Sequence, residues 1–260
     1  MLRPRIIPCL LIQDGGLVKT VKFKDPKYVG DPINAVKIFN EKEADELIVI
    51  DIDATAHGAE PNYAQIAKLA AECRMPLCYG GGIRTAEQAK KIIQLGVEKV
   101  AISSAALENP RLVTQIAEEI GSQSVVVVLD HKSRLLSKHQ EVWTHNGTRN
   151  TKRSVVEVAQ ELEQLGAGEI VLNSIENDGK MKGYDLELAG KLRAAVKIPI
   201  TILGGGGSLE DMASVVEACG VVGVAAGSFF VFKGTYRAVL ISYPSAQQKE
   251  EIIYSVLRAR

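Results

Sequence analysis

The chain contains a strand-like segment that runs into four glycines, followed by a second strand that ends in Gly-Ser. The first is Pro199-Ile-Thr-Ile-Leu203 leading into Gly204–Gly207, and the second ends in Gly227-Ser228. Glycines let the backbone approach a ligand closely, and the N–H groups at a following helix start face an anion. This pattern predicts a phosphate site, although one such loop could also be only a tight strand-to-helix connection.

The same pattern occurs about 123 residues earlier in the chain. Pro76 leads into Gly80-Gly-Gly82, and the next strand ends in Ser103-Ser104. A repeat can be purely architectural, but these turns have a ligand-binding character that architecture alone does not require. Two anion sites predict a long substrate with a phosphate at each end. The alternative is an architectural repeat with a single working site.

Charged residues stand at both ends of other apolar runs. Asp130 follows Ser124–Leu129, the most strand-like run of the chain, and a carboxylate at that position could transfer protons. Four further charges lie at or just before the start of a strand: Arg5, Glu46, Lys99 and Glu169. From the residue pattern alone, these four would be an ordinary salt-bridge network.

Apolar runs of strand length alternate with helix-period segments along the chain. Continuous apolar runs are typical of parallel strands that are buried on both faces. Eight strand–helix units predict an α/β fold, a closed (βα)8 TIM barrel with a half-barrel internal repeat. We expect residues 1–260 to form this single barrel domain. Active-site loops of such barrels lie at the carboxyl ends of the strands, which places the glycine turns and Asp130 at the same end.

Two segments interrupt this alternation. The polar stretch from Gln13 to about Asp31 predicts an irregular loop, of a length typical of a lid or substrate loop. The mixed stretch from His131 to Asn150 contains Asn146-Gly147, a hairpin-turn signal. A β-hairpin excursion after the fifth barrel strand is therefore predicted.

Composition narrows the functional classes. The 260 residues contain 31 basic and 31 acidic side chains, which argues against broad nucleic-acid or membrane-surface binding. No apolar run reaches the length of a membrane span, and no signal-peptide pattern is present. The four cysteines have no CxxC spacing, so we expect reduced thiols in a cytoplasmic protein. Neither a metal nor a cofactor is predicted, since the histidines also lack metal-ligand spacing.

Over essentially its full length, the sequence resembles the cyclase subunit of imidazole glycerol phosphate synthase. Matching motifs include Arg5-Ile-Ile-Pro-Cys-Leu10, Gly80-Gly-Gly-Ile83, Glu108-Asn-Pro110, Asp178-Gly179 and the four-glycine loop. The resemblance implies a (βα)8 barrel that receives ammonia from a partner glutaminase at its bottom. The ammonia would pass through the core to a bis-phosphate substrate at the top, where an imidazole ring is closed.

The resemblance also implies roles for individual residues. Those implied to bind substrate or its phosphates are Lys19, Gly81, Gly82, Ser104, Asp178, Gly179, Gly205, Gly207, Gly227 and Ser228. The family's ammonia gate corresponds to Arg5, Glu46, Lys99 and Glu169. The docking face for the glutaminase corresponds to Glu98 and Gln123.

The catalytic pair departs from the family pattern. Family members use two aspartates, at the ends of the first and fifth strands, as general acid and base. Asp130 matches one of them, whereas Leu11 stands where the other is expected. Losing a general acid typically lowers a rate by about 10²–10⁴. Gly16, Ser103 and Asn173 also differ from the family's usual arginine, asparagine and threonine. The residues around the substrate are therefore altered, while those of the ammonia gate are retained.

Three functions are compatible with this pattern. The first is an ammonia-channelling barrel for acetamidino formation in bacterial surface-sugar biosynthesis, the family branch that Leu17–Gly30 resembles. Its partners would be a glutaminase, a phosphorylated small molecule and an ATP-using amidotransferase. The second is a cyclase of histidine biosynthesis in which Asp14 or Asp51 replaces the missing aspartate. The third is a non-catalytic subunit that binds and activates a glutaminase.

Overall fold

The computed structural model describes residues 3–133 and 139–258. Residues 134–138, inside the predicted excursion, and residues 1–2 and 259–260, at the ends of the predicted domain, lie outside it. The strands are β1 (Arg5–Gln13), β2 (Gly16–Val21), β3 (Lys24–Gly30), β4 (Leu47–Asp51), β5 (Leu77–Gly80), β6 (Lys99–Ile102), β7 (Val125–Ser133), β8 (Gln140–Thr144), β9 (Arg149–Ser154), β10 (Glu169–Ser174), β11 (Ile200–Leu203), β12 (Gly223–Ala226), β13 (Phe232–Lys233) and β14 (Ala238–Val239).

The helices alternate with these strands along the chain. They are α1 (Pro32–Glu41), α2 (Tyr63–Glu72), α3 (Ala86–Gln94), α4 (Ser104–Glu108), α5 (Arg111–Ile120), α6 (Val155–Gln164), α7 (Leu186–Ala195), α8 (Leu209–Cys219), α9 (Ser228–Val231), α10 (Ala246–Gln248) and α11 (Ser255–Arg258). A 3-10 turn at Ser122–Ser124 precedes β7, and a π-helical stretch at Lys249–Tyr254 joins the last two helices. Among the described residues, no helix has the length and apolar character needed to cross a membrane.

Eight of the strands form a closed parallel barrel. Their order is β1-β4-β5-β6-β7-β10-β11-β12, and β12 pairs with β1 to close the ring, with Arg5 opposite Gly223 and Pro8 opposite Ala226. The predicted (βα)8 barrel is confirmed. Strands that are covered by helices outside and by side chains inside must be apolar on both faces, which is why the sequence shows continuous apolar runs.

Two hydrophobic clusters hold the barrel together. The larger one lies between the strands and the helices, and the smaller one fills the barrel interior. The interior cluster consists of Ile7, Cys9, Ile48, Cys78, Ala101, Val126, Val171 and Ala225. Leu11, Ile50, Val128 and Leu203 pack against it from the side where the barrel strands end. The barrel axis is thus lined by small and medium apolar side chains.

The repeated turns adopt the same structure in both halves of the barrel. Both β5 and β11 are followed by two glycines with positive φ, 118° and 74° at Gly81 and Gly82, and 93° and 113° at Gly204 and Gly205. The helices that follow, α3 and α8, each begin at a hydroxyl side chain that accepts a backbone N–H from its first turn. The short helices α4 and α9 likewise occupy equivalent places, after β6 and β12.

The predicted irregular loop between Gln13 and Asp31 is wrong, because this segment is a β-hairpin. β2 pairs antiparallel with β1, and β3 pairs antiparallel with β2. Lys22 and Phe23 form the turn, with φ of 55° and 61°. Residues 17–21 are mostly apolar or β-branched and favour a strand, but the many lysines of the segment concealed this signal.

The predicted hairpin excursion after the fifth barrel strand is confirmed. β7 continues beyond the barrel to Ser133 and pairs antiparallel with β8, which pairs antiparallel with β9. The turn between β8 and β9 contains His145, Asn146 and Gly147, whose φ values are 52°, 53° and 72°. Asn-Gly favours such left-handed turn conformations, so the local sequence determines this turn.

Candidate active site

Four charged side chains form a ring at the bottom of the barrel, the end at which the strands start. Arg5 contacts both Glu46 and Glu169, the latter at 2.8 Å, and Lys99 contacts the same two carboxylates at 2.8 and 2.9 Å. The structure therefore brings the four predicted gate residues together. Thr201, which sequence reasoning missed, donates from Oγ1 to Glu169 at 2.5 Å. Its position near the start of β11 could have indicated that it lies at the bottom of the barrel with the four charged residues.

The ring is charged in spite of its burial. Glu46 and Glu169 are only 3% and 5% exposed. Burial by itself would raise the pKa of the Glu169 carboxyl, but Arg5, together with Lys99 and Thr201, lowers this pKa to about 2. Each carboxylate has two cationic partners, as buried charges require. The ring is thus a fully paired closure across the lower end of the barrel axis.

At the opposite end, the strands open into a cavity of about 530 Å³. Residues of both glycine turns line it, and its lining includes Leu11, Ile50, Val128 and Leu203 as well as Cys9 of the barrel interior. The cavity and the charged ring therefore lie at the two ends of one apolar interior.

Asp130 lines this cavity from the point at which β7 leaves the barrel and begins to pair with β8. Its Oδ1 accepts a hydrogen bond of 2.8 Å from Nδ2 of Asn173, a buried residue at the end of the neighbouring strand β10. Burial raises the pKa of the Asp130 carboxyl to about 7, with a further contribution from the charge of Asp178, although the bond from Asn173 acts in the opposite direction. A carboxyl that titrates near neutral pH can both donate and accept a proton.

Asp178 and Gly179 lie where the β2–β3 hairpin meets the mouth of the cavity. The Asp178 carboxylate accepts hydrogen bonds from Oγ1 of Thr20 at 2.7 Å and from the backbone N–H of Phe23 at 3.1 Å. Burial raises the pKa of this carboxyl. A Cβ atom on Gly179 would collide with the backbone of Thr20. The hairpin is therefore held directly against the loop that carries both predicted residues.

Lys19 reaches the second glycine cradle from below. Its side chain is buried, with only 5% of the residue exposed, and Nζ donates to the carbonyl oxygen of Cys9 at 2.6 Å. Burial lowers the pKa of this lysine. Nζ also lies beside Gly227, where an added Cβ would stand 2.8 Å from it. Lys19, Gly227 and Ser228 all line the cavity, so the structure brings these three predicted residues together.

Gly227→Ala is expected to weaken phosphate binding at this cradle by about 10- to 150-fold, because the new methyl group displaces a charged donor that contributes about 1.5–3 kcal/mol. The backbone at Gly227 has φ of −102°, which alanine accepts without strain, but the new Cβ would also stand 3.2 Å from the carbonyl oxygen of Cys9. Because the displaced lysine is buried, the unfolding midpoint should fall as well, and the affinity is measured below it. Calorimetric titration with inorganic phosphate measures the affinity. The matched control is Gly190→Ala on α7, where a Cβ meets open space. Equal affinities in the two variants would contradict the role of Lys19.

The first cradle lies on the other side of the cavity. Gly81, Gly82 and Ser104 all line it, and Ser104 Oγ accepts the backbone N–H of His145 at 3.0 Å. A Cβ on Gly81 would collide with the backbone carbonyl of Asp51. The positive φ and this close approach require glycine at the turn even before any ligand is considered. Both predicted cradles therefore open into the same cavity.

The chain matches a family model described as "Histidine biosynthesis protein" over residues 5–237. The chain belongs to this family. A protein of Vibrio vulnificus (strain YJ016) named "Putative imidazole glycerol phosphate synthase subunit hisF3" is 57% identical over 97% of both chains. The "HisF" subunit of imidazole glycerol phosphate synthase from Exiguobacterium sibiricum is 41% identical over 88% of this chain and 91% of its own length. The chain is thus a homologue of HisF subunits.

Two residues considered in the sequence analysis lie outside the cavity lining of this HisF homologue. The backbone N–H of Gly207 donates to Oδ2 of Asp211 at 2.9 Å, and Gly206 lines the cavity. Asp14 is exposed, and its backbone N–H donates to Asp53. Asp51, the other alternative, does line the cavity.

The two residues expected at the docking face lie at the bottom of the barrel. Glu98 directly precedes β6, and Gln123 lies in the 3-10 turn before β7; both are exposed. The Glu98 carboxylate accepts the backbone N–H of Leu77 at 2.6 Å. They share this face with the charged ring, since Lys99 is the first residue of β6.

Sequence reasoning missed three side chains beside the first cradle. Arg84 follows the glycine turn, and His145 and Arg149 come from the β8–β9 hairpin; all three line the cavity. Arg84 could have been suspected from its position just after Gly80-Gly-Gly-Ile83. The other two come from a hairpin distant in sequence, so no local pattern predicts their place.

Proposed function

We propose that this HisF homologue conducts ammonia from the charged ring to the phosphate-binding cavity for amidine formation on a phosphorylated sugar. Leu11 carries this proposal. It lines the cavity with Ile50, Val128 and Leu203, at the position where ring closure in the family depends on an aspartate. Only one carboxylate of the expected catalytic pair, Asp130, is present. The site therefore favours ammonia delivery with one proton-transfer group over imidazole cyclisation.

The geometry of the barrel axis supports the ammonia path. Neutral ammonia can cross an apolar interior, whereas the desolvation cost disfavours ammonium and other ions. Below the cavity, the axis is lined by side chains such as Cys9, Ile48 and Ala101, which carry no charge when the thiol is protonated. Burial raises the pKa of Cys9 to about 11, so this thiol is neutral at physiological pH. A glutaminase docked near Glu98 and Gln123 would release ammonia at the ring.

The cavity supplies what amidine formation requires of the barrel. The substrate's phosphate groups would lie in the cradles, and the N-acetyl carbon would lie near the top of the axis. Ammonia adds to this carbon, and the carbonyl oxygen leaves with an activating phosphoryl or adenylyl group that an ATP-using partner has attached. The proton released by the nitrogen passes to Asp130, whose pKa of about 7 suits proton acceptance near neutral pH.

A difference in sequence identity among the relatives supports this proposal. A Pseudomonas aeruginosa protein with the same name as the Vibrio relative, numbered hisF2, is 56% identical over 95% of this chain and 98% of its own length. Two relatives named HisF without the word "Putative", from Exiguobacterium sibiricum and Lactococcus lactis, are 41% and 43% identical to this chain. This difference in identity supports a specialised paralogue.

With ammonium as the nitrogen source, the purified protein is expected to leave the histidine-pathway bis-phosphate substrate unchanged. Leu11→Asp should create measurable turnover, because it adds a second carboxylate to the cavity wall; a general acid typically contributes about 10²–10⁴ in rate. Leu11→Asn is the control, since it has the same shape without the acid. Ring-closed product is quantified by chromatography. Robust turnover by the unmodified protein would refute the proposal.

A second candidate is an authentic cyclase in which Asp51 provides the missing group. It is favoured by the position of Asp51 in the cavity lining and by burial, which raises the pKa of its carboxyl. Against it, Asp51 Oδ1 already accepts the backbone N–H groups of Asp53 and Ala54, both at 3.0 Å. Complementation of a cyclase-deficient strain tests this candidate. Growth without histidine that is lost in Asp51→Asn would establish it.

A further inference from the structure

The turn between β8 and β9 lies across the first glycine cradle. On one side, the backbone N–H of His145 donates to Ser104 Oγ at 3.0 Å, and on the other, Asn146 Nδ2 donates to the carbonyl oxygen of Ile52 at 2.9 Å. Ser104 follows β6 and Ile52 follows β4, while the glycines of the cradle follow β5, the strand between them. The turn therefore spans the cradle from one neighbouring strand to the other.

The conformation of this turn is held by its own hydrogen bonds. His145 and Asn146 are both left-handed, a conformation that His and Asn adopt more readily than most other residues with a side chain. Thr148 donates its backbone N–H to Thr144 O at 3.1 Å and its Oγ1–H to His145 O at 2.7 Å. The turn held in this way places His145 and Arg149 beside the cradle, where both line the cavity.

More basic than acidic side chains surround this cradle. Arg84 and Arg149 are cations, and His145 becomes one on protonation; all three line the cavity. Glu108 faces two of them, with its Oε1 3.4 Å from His145 Nε2 and 3.7 Å from Arg149 Nη1. Glu108 is itself exposed. Its carboxylate therefore competes only weakly for these side chains with an anion that is bound by several donors.

We propose that the β8–β9 turn completes the first cradle as a composite anion site. In it, Arg149 and His145 exchange Glu108 for a phosphoryl group, Arg84 binds the same group, and the glycine turn and Ser104 bind it from the barrel side. A guanidinium matches phosphate geometry with paired N–H donors. The ligand class is a phosphomonoester or diphosphate. This inference rests on the proposed function, since it takes the first cradle to be a phosphate site.

The test is a titration of the whole protein with inorganic phosphate and, separately, with pyrophosphate, followed by amide NMR shifts. The Ser104 amide reports on the first cradle and the Ser228 amide on the second. Arg149→Met should weaken binding at Ser104 by about tenfold, the effect of one charge-assisted hydrogen bond, and leave Ser228 unchanged. Glu108→Gln should tighten binding at Ser104 by about threefold, because it removes the competing carboxylate. Arg74→Met, an exposed arginine before β5, is the control.

Equal affinities at Ser104 in the Arg149→Met and Arg74→Met proteins would overturn the inference, as would weaker binding in Glu108→Gln. If Ser104 fails to respond to either anion while Ser228 responds, the first cradle is not an anion site and the inference also fails. These outcomes can be distinguished from a failure of the proposed function, which is tested by turnover of the histidine-pathway substrate with ammonium. Stronger binding of pyrophosphate than of phosphate would assign the cradle to a diphosphate.

Discussion

Arg5→Met is expected to lower the free energy of unfolding by about 3–5 kcal/mol, the usual cost of removing one partner from a buried ion pair. Glu46 and Glu169 are almost fully buried, and each contacts Arg5 and Lys99. Without Arg5, the two carboxylates share a single cation. Denaturant unfolding at neutral pH measures the loss. The matched control is Arg3→Met at the same end of the barrel, where the arginine is exposed and pairs with Glu250 at 3.6 Å.

The pH dependence of stability is an independent test of the ion pairs in the same ring. The pKa of the Glu169 carboxyl falls from 4.5 to about 2 on folding. Its contribution to stability is therefore fully present above about pH 4.5 and is lost as the pH falls toward about 2. The Arg5→Met protein should show a shallower loss over this window, because the cation that lowers the pKa is missing. A profile as steep as that of the unmodified protein would contradict this account.

Arg5→Met also tests the proposed path of ammonia. Product formation driven by glutamine should fall more than product formation driven by added ammonium, because only the first must enter through the ring. Both rates are measured with the glutaminase present, without denaturant and at a pH where the variant is folded. An equal fall in both rates would mean that the ring is a structural ion-pair network, the alternative that the residue pattern leaves open.

Asp130→Asn is expected to make the protein more stable and less active. The folded pKa of this carboxyl is about 7, against 3.8 in the unfolded chain. Its favourable contribution is complete below about pH 3.8 and is lost as the pH rises through about 7. Asparagine does not titrate, so above pH 7 the variant should exceed the unmodified protein by up to about 4 kcal/mol, at 1.36 kcal/mol for each pKa unit. Unfolding midpoints at pH 5 and pH 8 measure this difference.

The activity of Asp130→Asn distinguishes the proposed functions. If Asp130 accepts the proton released by ammonia, amidine formation should fall by about 10²–10⁴, while phosphate affinity stays the same. Asp25→Asn, on the exposed edge of the β2–β3 hairpin, is the control and should match the unmodified protein. Unchanged amidine output would instead support the third candidate, a non-catalytic subunit that binds and activates a glutaminase. A less stable variant at pH 8 would contradict the raised pKa.

The sequence by itself determined the barrel and the two ends of its axis. Parallel strands buried on both faces leave continuous apolar runs, and residues at strand starts and strand ends must lie at opposite ends of a parallel barrel. This is why Arg5 and Lys99 could be assigned to the bottom, and Asp130 and the glycine turns to the top, without coordinates. It is also why Leu11 could be placed in the cavity wall.

Only the tertiary structure decided which groups line the cavity. The φ angles of the four-glycine turn direct the N–H of Gly207 to Asp211, and no residue pattern distinguishes Gly207 from Gly206. The β2–β3 hairpin depends on pairing with β1, which overrides the polar composition of its segment. Arg149 reaches a cradle built by residues 81–104 because the β8–β9 turn crosses between strands. Contacts of this kind depend on the register of a closed sheet, which long-range pairing sets and local sequence does not encode.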